Sequence, residues 1–386
     1  MKSNKIRLGE QCVVTSSKRF HLSERITQGV PFYCSKEIIK KFNGEDVTEC
    51  DYISEDLYKK VSNEFGVPKE NDLLITTRGT IGIPYLYKRT DRFYFADGNL
   101  TWIKDFDSNL YSKFLYYWFQ SYEGRKKFEA LAKGTAQKAV PISGIKTLEI
   151  ELPSLKSQKR IANILSAYDD LIENNQKQIK LLEEAAQRLY KEWFVDLRFP
   201  GHENTKIVDG VPKGWIKEEI GKIIKKVHRT KQIVASEYRD EGSIPIVDQS
   251  RAFVAGYTND LEARVDFGIP IIVFGDHTRI VKLIQFPFAK GADGTQLIIS
   301  DCLEMPQRLL YCSIMNVDLS NYHYARHFKY LKEEKIMIPT VKVANEFENN
   351  VTGIFSKIQN CRDEIIRCQK TRNLLLPKLM SGEVEV

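Results

Sequence analysis

Two long stretches of the chain place apolar residues at alternating steps of three and four. The first runs from Ile161 to Trp193, and the second, 186 positions later, repeats it without a gap from Phe347 to Leu379. This heptad spacing predicts two helices of about 35–40 residues, each roughly 50–60 Å long, that pack together as a coiled coil. Two amphipathic helices on separate globular cores would show the same stripe and remain an alternative. The seam positions are Ile161, Leu165, Tyr168, Ile172, Ile179, Leu182, Ala186, Leu189 and Trp193, then Phe347, Val351, Ile354, Ile358, Cys361, Ile365, Cys368, Arg372, Leu375 and Leu379.

The connector after the first helix indicates how the two helices run. Residues 195–214 contain the Pro, Gly and Asn of a loop, and the next globular block opens at Trp215. A parallel pair would stretch this loop of about 20 residues along the whole helix, close to the limit of roughly 3.4 Å per residue. We therefore expect an antiparallel pair with one globular block at each end, related by an approximate two-fold axis. Asn175 interrupts the first seam and is expected to fix the register.

The two globular blocks share a plan although their sequences differ. Each opens on an apolar residue followed by glycine and closes on a short apolar strand before proline. In between, strand-like runs alternate with turns at 72–87 and 92–103, and again at 269–284 and 286–300. Helices rich in aromatic or apolar residues follow at 113–124 and 307–316, so we expect an α+β chain of two similar, largely sheet modules. The predicted boundaries are a first module at 1–155, a first helix at 156–196, a connector at 197–214, a second module at 215–343, and a second helix with a tail at 344–386.

Composition narrows the class of protein further. A chain of 386 residues with 42% hydrophobic and 28% charged residues is globular and long enough for two cores. The N-terminal MKSNKIRLGEQ has no apolar signal region and no run of 18 apolar residues follows, so a cytoplasmic protein is expected. Seven cysteines without a C-x-x-C spacing predict reduced thiols. A net charge of +7 fits nucleic-acid binding but is also common in proteins that never touch DNA.

Several phrases of the sequence resemble one known family. They are DLLITTRGTIG, FADGN, KGTAQKAVPISGIKTLEIELPSLKSQKRIANIL, KEWFVDLRFPGHEN and LLLPKLMSGEV, and the resemblance that they carry extends over essentially the whole chain. This set resembles the specificity subunit of type I restriction-modification systems.

The resemblance implies that each module is a target recognition domain for double-stranded DNA and that the helices are a conserved spacer. It also implies two partner methyltransferase subunits that methylate adenine with S-adenosylmethionine, and a restriction subunit able to join them. Two unequal modules on a fixed spacer suit a bipartite, asymmetric site, because half-sites roughly 34–36 Å apart lie on one face of the duplex. A stand-alone DNA-binding regulator is the alternative function.

Polar and basic loop residues are the candidates for DNA contact, because Arg, Lys, Gln, Ser and Thr read base edges and phosphates. Asp276 could accept from a cytosine amino group, but it could equally orient Arg279 or cap a turn, and TTRGT could be an ordinary hairpin. His323 and His327 have the spacing of a metal pair but no evident third ligand, so no metal is expected. The candidates are Thr76, Thr77, Arg78, Thr80, Lys133, Thr135, Gln137, Lys138, Asp276, His277, Thr278, Arg279, Tyr322, His323, Arg326 and Lys329, with Lys18, Arg19, Arg229, Lys231, Gln249, Ser250 and Arg251 weaker.

The sequence carries no motif for catalysis by this chain. It contains no G-x-x-x-x-G-K-[ST] phosphate loop, no Asp/Asn-Pro-Pro-aromatic element and no glycine-rich loop for a methyl donor. We therefore expect a subunit without catalytic residues or a bound cofactor, with S-adenosylmethionine held by the partner methyltransferase. A fused nuclease or methyltransferase is disfavoured for the same reason. The residues expected to dock partner subunits are Trp193, Phe194, Leu374, Leu375 and Leu379.

Overall fold

The chain forms two compact units in a computed structural model that describes residues 4–134, 138–227, 230–291, 293–322 and 326–386. The first unit contains residues 1–174 and 364–386, and the second contains residues 175–363. Each of the two long helices therefore contributes one part to each unit.

The first unit is built from short strands, short helices and the beginning of a long helix. Its strands are β1 Asn4–Arg7, β2 Val13–Thr15, β3 Val30–Tyr33, β4 Asp51–Ile53, β5 Leu73–Thr76, β6 Pro84–Leu86, β7 Tyr94–Phe95, β8 Leu100–Lys104 and β9 Glu149–Leu152. Its helices are α1 Ser35–Phe42, α2 Glu55–Glu64, α3 Ser112–Gln120, α4 Tyr122–Glu129, α5 Ile142–Lys146 and α6 Leu155–Tyr190.

Three small sheets organise the first unit. β1 and β9 pair antiparallel, a second sheet has the order β2-β8-β5-β6, and a third has the order β4-β3-β7 with β3 parallel to β7. The largest core of this unit packs the sheet around β5 against α3, α5 and the start of α6, with Ile75, Phe114 and Ile161 among its buried residues. Gly9 follows β1, and a Cβ there would lie 3.0 Å from the backbone oxygen of Lys146, so the chain comes close to α5 at this point.

The helical part of the first unit is an antiparallel pair. Ile161 and Leu165, near the start of α6, share a core with Leu379, near the end of the last helix. Further along α6, the Asp169 carboxylate accepts hydrogen bonds from Arg372 and from the Tyr117 hydroxyl. Because Asp169 follows Leu165 while Arg372 precedes Leu379, the two segments run in opposite directions.

Within the described residues, the second unit contains a similar set of short strands and fewer helices than the first. Its strands are β10 Ile207–Val208, β11 Val211–Pro212, β12 Ile216–Glu219, β13 Ile244–Val247, β14 Gly256–Thr258, β15 Arg264–Val265, β16 Ile271–Gly275, β17 Val281–Ile284, β18 Phe288–Lys290, β19 Thr295–Ile298 and β20 Lys335–Ile338. A π-helical turn, Lys191–Val195, extends α6, and the later helices are α7 Gln307–Met315, α8 His327–Glu333 and α9 Val341–Ser381.

The strand pairing of the second unit follows the plan of the first. β12 pairs antiparallel with β20 as β1 does with β9, and β17-β16-β19 corresponds to β6-β5-β8. The sheet β14-β13-β18-β15 contains one parallel pair, β13 with β18, as β3 pairs with β7. Gly221 follows β12, and a Cβ there would lie 3.1 Å from the backbone oxygen of Lys332, as Gly9 approaches Lys146.

The helices of the second unit also run antiparallel. The rings of Trp193 and Phe347 lie 5.7 Å apart, while the Arg362 guanidinium donates to Glu183 at 2.8 Å. As α6 advances from Glu183 to Trp193, α9 therefore recedes from Arg362 to Phe347. The antiparallel direction expected from the connector is thus found within each unit.

The fold class predicted from the sequence is confirmed. Mixed α and β modules accompany two long helices, and the strand-like runs at 72–87, 92–103, 269–284 and 286–300 each contain two strands. One predicted helix, 113–124, is divided, because the extended Ser121 ends α3 and its hydroxyl caps α4 by accepting from Gly124 N–H at 3.1 Å. No helix within the described ranges is long and apolar enough to cross a membrane.

Candidate nucleic-acid interface

In the first unit, two of the predicted DNA-contacting segments lie side by side. The loop from Thr77 to β6 and the segment 133–140 are joined by a hydrogen bond from Val140 N–H to the Thr77 carbonyl at 2.9 Å. Arg78 forms a backbone bridge with Ala139, which also exchanges two backbone hydrogen bonds with Lys133. The structure therefore places the exposed residues Arg78, Thr80, Lys133 and Lys138 on one surface. Thr135 and Gln137 lie outside the described residues.

The second unit builds the same junction from different residues. The loop between β16 and β17 is joined to the start of α8 by a hydrogen bond from His327 N–H to the Asp276 carbonyl at 3.0 Å. This bond corresponds to the one between Val140 and Thr77 in the first unit. The exposed residues around the junction are His277, Thr278, Arg279, Arg326 and Lys329, while His323 and Arg229 lie outside the described residues.

Two threonines of the TTRGT motif are not surface residues, so the expectation that they contact DNA is wrong. Thr76 is 0% exposed and Thr77 is 4% exposed. Thr76 ends β5, and its hydroxyl accepts from Ile83 N–H at 2.9 Å, while Thr77 N–H donates to the Asn99 carbonyl. The sheet continues through both residues, so the exposed turn begins only at Arg78.

The Asp276 carboxylate caps a helix. The residue is only 9% exposed, and its Oδ1 accepts from Phe328 N–H, in the first turn of α8, at 2.8 Å. Of the roles open to this residue, the structure supports capping, because its carboxylate is buried and bonded to the helix backbone. Next to it, burial together with the Arg279 charge lowers the pKa of His327, which is 6% exposed.

Tyr322 serves the packing around α8. Its ring stacks on Tyr330 with centroids 4.1 Å apart, and its hydroxyl donates to Glu334 at 3.2 Å. The residue is half-buried, and one face of its ring is covered. Stacking of a base on that face is therefore blocked.

Most residues expected to dock partner subunits belong to cores instead. Trp193 and Phe194 are 7% and 4% exposed and pack with Phe347, and Leu379 is 2% exposed in the core of the first unit. Trp193 and Leu379 are seam positions, and heptad seams bury the residues that define them, while Phe194 is covered by Trp215 and Phe347. Leu375 packs partly against the same core as Leu379, whereas Leu374 is 67% exposed.

Gln249 has a larger role than its sequence suggested. Its side chain accepts from His277 N–H at 3.1 Å and donates to the Asp293 carbonyl at 2.8 Å, and its own carbonyl accepts from the Thr278 hydroxyl at 2.7 Å. Gln249 therefore ties three loops together beside the exposed residues of the second unit. The only sequence signal was a polar cluster, DQSRA, directly after a strand.

A basic groove in the second unit also has no local signal in the sequence. Its cavity of about 740 Å³ is lined by Lys225, Lys226, Lys290 and Lys332, and by Phe328 next to the capped end of α8. Burial lowers the pKa of Lys290. The lysines come from three separate parts of the chain, 225–226, 290 and 332, so no local pattern predicted their convergence. A groove of this charge fits a phosphate backbone, which binds clustered cations regardless of base sequence.

Comparison with known proteins identifies a family. The domain described as the type I restriction modification DNA specificity domain matches residues 3–184. The type I restriction enzyme MjaIX specificity subunit of Methanocaldococcus jannaschii is 30% identical over 303 residues, 71% of this chain and 69% of that protein. A putative type I restriction enzyme specificity subunit of Haemophilus influenzae is 28% identical over 187 residues, 48% of this chain and 45% of that protein.

A solved structure shares the fold. The S subunit of a type I restriction-modification system from M. genitalium matches 98% of this chain and 96% of that chain, with a TM-score of 0.60 and 18% identity. At this identity the likeness supports the fold, and the relative from Methanocaldococcus jannaschii supports the family. Together with the paired loop surfaces, these findings lead to one conclusion: this chain belongs to the DNA specificity subunits of type I restriction-modification systems.

Proposed function

We propose that this chain reads a bipartite, asymmetric DNA site, one half with each compact unit. The observation that carries the proposal is the repeated junction, in which Thr77 and Asp276 accept equivalent backbone hydrogen bonds from Val140 and His327. Around each junction the exposed side chains differ, with Arg78 and Lys138 in the first unit and His277 and Arg279 in the second. Equivalent scaffolds with different exposed groups suit two half-sites of different sequence.

Base reading and backbone binding are assigned to different residues. Arg78 and Arg279 carry guanidinium groups on loops, and arginine pairs with the O6 and N7 atoms of guanine in the major groove. In this proposal the lysines that line the basic groove neutralise phosphates, which strengthens binding without selecting a sequence. Changes at the two arginines should therefore alter specificity, and changes at the lysines should alter affinity and its salt dependence.

In this proposal the partner subunits, and not this chain, catalyse methyl transfer. The chain docks two adenine methyltransferase subunits that hold S-adenosylmethionine, it binds no cofactor itself, and restriction subunits can join the complex in the cytoplasm. Exposed apolar residues on the long helices are the docking candidates: Leu374 in the first unit, 67% exposed, and Leu181 in the second, 64% exposed. The isolated chain is expected to transfer no methyl group, and activity that persists through extensive purification would contradict this.

Adenine-methylation mapping by long-read sequencing tests the proposal. A host expressing the chain with its neighbouring methyltransferase is compared with the same host lacking only the chain. A bipartite motif that appears only with the chain is the expected result. Absence of a motif while both proteins are expressed and soluble would overturn the proposal, and a footprint by the chain alone without methylation would favour the stand-alone regulator.

A further inference from the structure

A lysine is buried beneath the exposed loops of the second unit. The side chain of Lys282, in β17, is only 5% exposed, and its Nζ donates to the carbonyls of Asp248, at 2.8 Å, and Ala252. The Asp248 carboxylate lies 3.9 Å from the same ammonium. Burying a charge is costly unless partners replace the lost water, and here both hydrogen-bond partners belong to the loop that follows β13.

The first unit uses the corresponding positions differently. Tyr85 pairs with Leu74 of the central strand as Lys282 pairs with Val273, but its hydroxyl donates to Asp91 at 2.7 Å. After β3 the chain enters helix α1, whereas after the equivalent β13 it continues as a loop from Asp248 to β14. The second unit therefore has a loop where the first unit has a helix. Lys282 holds that loop against the sheet through its hydrogen bonds to the Asp248 and Ala252 carbonyls.

The loop from Asp248 to β14 packs tightly against the end of β16 and the loop after it, and against the turn between β18 and β19. A Cβ at Gly294 would lie 2.7 Å from Gln249 Nε2, and a Cβ at Gly275 would lie 3.0 Å from Gln249 Cβ. These contacts add to the three hydrogen bonds of Gln249 with His277, Thr278 and Asp293. At the rim of the loop, the Ser250 hydroxyl donates to Asp248 Oδ1 at 2.6 Å, and Arg251 is exposed.

We propose that residues 249–251 form a further DNA-contacting segment of the second unit, and that Lys282 is the residue that positions it. Arg251 supplies the charged donor, Gln249 joins the segment to His277 and Thr278, and Lys282 acts only through the loop. A donor held on a rigid support loses little conformational entropy on binding, so it discriminates between bases better than one on a mobile loop. This inference rests on the proposed function, because it adds a reading segment to the same site.

The experiment measures half-site discrimination in the complete complex of this chain with its methyltransferase. The variants are Lys282→Met and Arg251→Ala, with Arg78→Ala marking the half-site read by the first unit. Lys217→Met, at an exposed position of β12, is the matched control for loss of one positive charge. Equilibrium binding is measured on the cognate duplex and on duplexes with single base-pair changes in either half, and thermal melting is recorded for every complex.

Lys282→Met is expected to lower discrimination about tenfold at one or more base pairs of the half-site that Arg78→Ala leaves intact, which corresponds to one lost base contact. Arg251→Ala should act in the same half, and Lys217→Met in neither. Unchanged discrimination in Lys282→Met, or an equal loss in both halves with a lowered melting temperature, would overturn the inference. If Lys282→Met does not fold, Arg251→Ala decides, since it alters only an exposed side chain, and unchanged discrimination there refutes the segment.

The wild-type complex distinguishes failure of the proposed function from failure of this inference alone. If it shows no sequence discrimination at all, the proposed function fails and this inference fails with it. If it discriminates in both halves and both Lys282→Met and Arg251→Ala match it, only the inference fails.

Discussion

Two substitutions distinguish a capping role of the Asp276 carboxylate from a base-reading role. Asp276→Ala removes the acceptor for Phe328 N–H at the first turn of α8. Asp276→Asn keeps an oxygen at the same place, and asparagine caps helices as well as aspartate does. If the residue acts as a cap, only the alanine variant should change the protein.

The size of the effect follows from the single bond that is lost. Replacing a capping residue by alanine costs about 0.5–2 kcal/mol, and a hydrogen bond to a charged group contributes about 1.5–3 kcal/mol. Because Asp276 is only 9% exposed, water cannot fully replace the bond, and we expect a loss of about 1–2 kcal/mol. For a unit of this size that loss lowers the melting temperature by roughly 2–8 °C.

Two assays are needed, one for stability and one for specificity. Thermal melting should show the decrease for Asp276→Ala and less than about 1 °C for Asp276→Asn, which retains the cap. Methylation mapping should give the wild-type motif for Asp276→Asn. A motif altered at a C·G pair in the asparagine variant would refute the capping interpretation, because a cap tolerates an amide, whereas a carboxylate that reads a cytosine amino group loses its charge and gains a competing NH2 donor.

Four further predictions concern other parts of the chain. Arg78→Ala should lower discrimination in one half-site by about 1–3 kcal/mol, measured by binding to single-substitution duplexes, and an unchanged profile would count against a reading role. Asn175→Leu, at a residue 3% exposed within α6, should leave both half-sites intact in methylation mapping, and a changed motif would show that the helix affects base reading. Burial lowers the pKa of Lys282 from 10.5 to about 8, so between these pH values the folded state binds fewer protons than the unfolded state. The free energy of unfolding of the wild type should therefore rise by up to about 3 kcal/mol relative to that of Lys282→Met between pH 8 and 10.5, measured by denaturant unfolding at each pH. The same pH dependence in both proteins would contradict this. Gly124→Ala should destabilise the first unit by about 1–3 kcal/mol, because the added Cβ meets the carbonyl of Trp118 in the preceding turn, and an unchanged melting temperature would rule out that clash.

Features with a local period were predictable from the sequence. The heptad spacing located α6 and α9, and the strand-like runs located β5 to β8 and β16 to β19. The equal offset between the two copies also indicated that 133–138 and 321–330 occupy equivalent places. Val140, two residues beyond the first segment, and His327, within the second, each bond to the corresponding hairpin loop. Such patterns survive in the sequence because each depends on residues within a few positions of one another.

The division of exposed and buried residues near the site was not predictable in this way. Thr76 and Arg78 are two positions apart in one motif, yet the first is buried in the sheet and the second is exposed. Trp193, Phe194 and Leu379 were expected at a docking surface and lie in cores. Burial is set by whichever residues arrive from elsewhere in the chain, and a single sequence does not record them.

The sequence by itself therefore determined the duplication, the two long helices, the mixed α and β modules and the family resemblance. Only the tertiary structure decided that Asp276 caps α8, that lysines from three separate parts of the chain line one groove, and that Lys282 lies under the loop at Gln249. The physical reason is the range of the interactions. Helix and strand periods are fixed by neighbours along the chain, whereas a buried ammonium, a cap supplied by another loop or a convergent charge exists only after folding brings distant residues together.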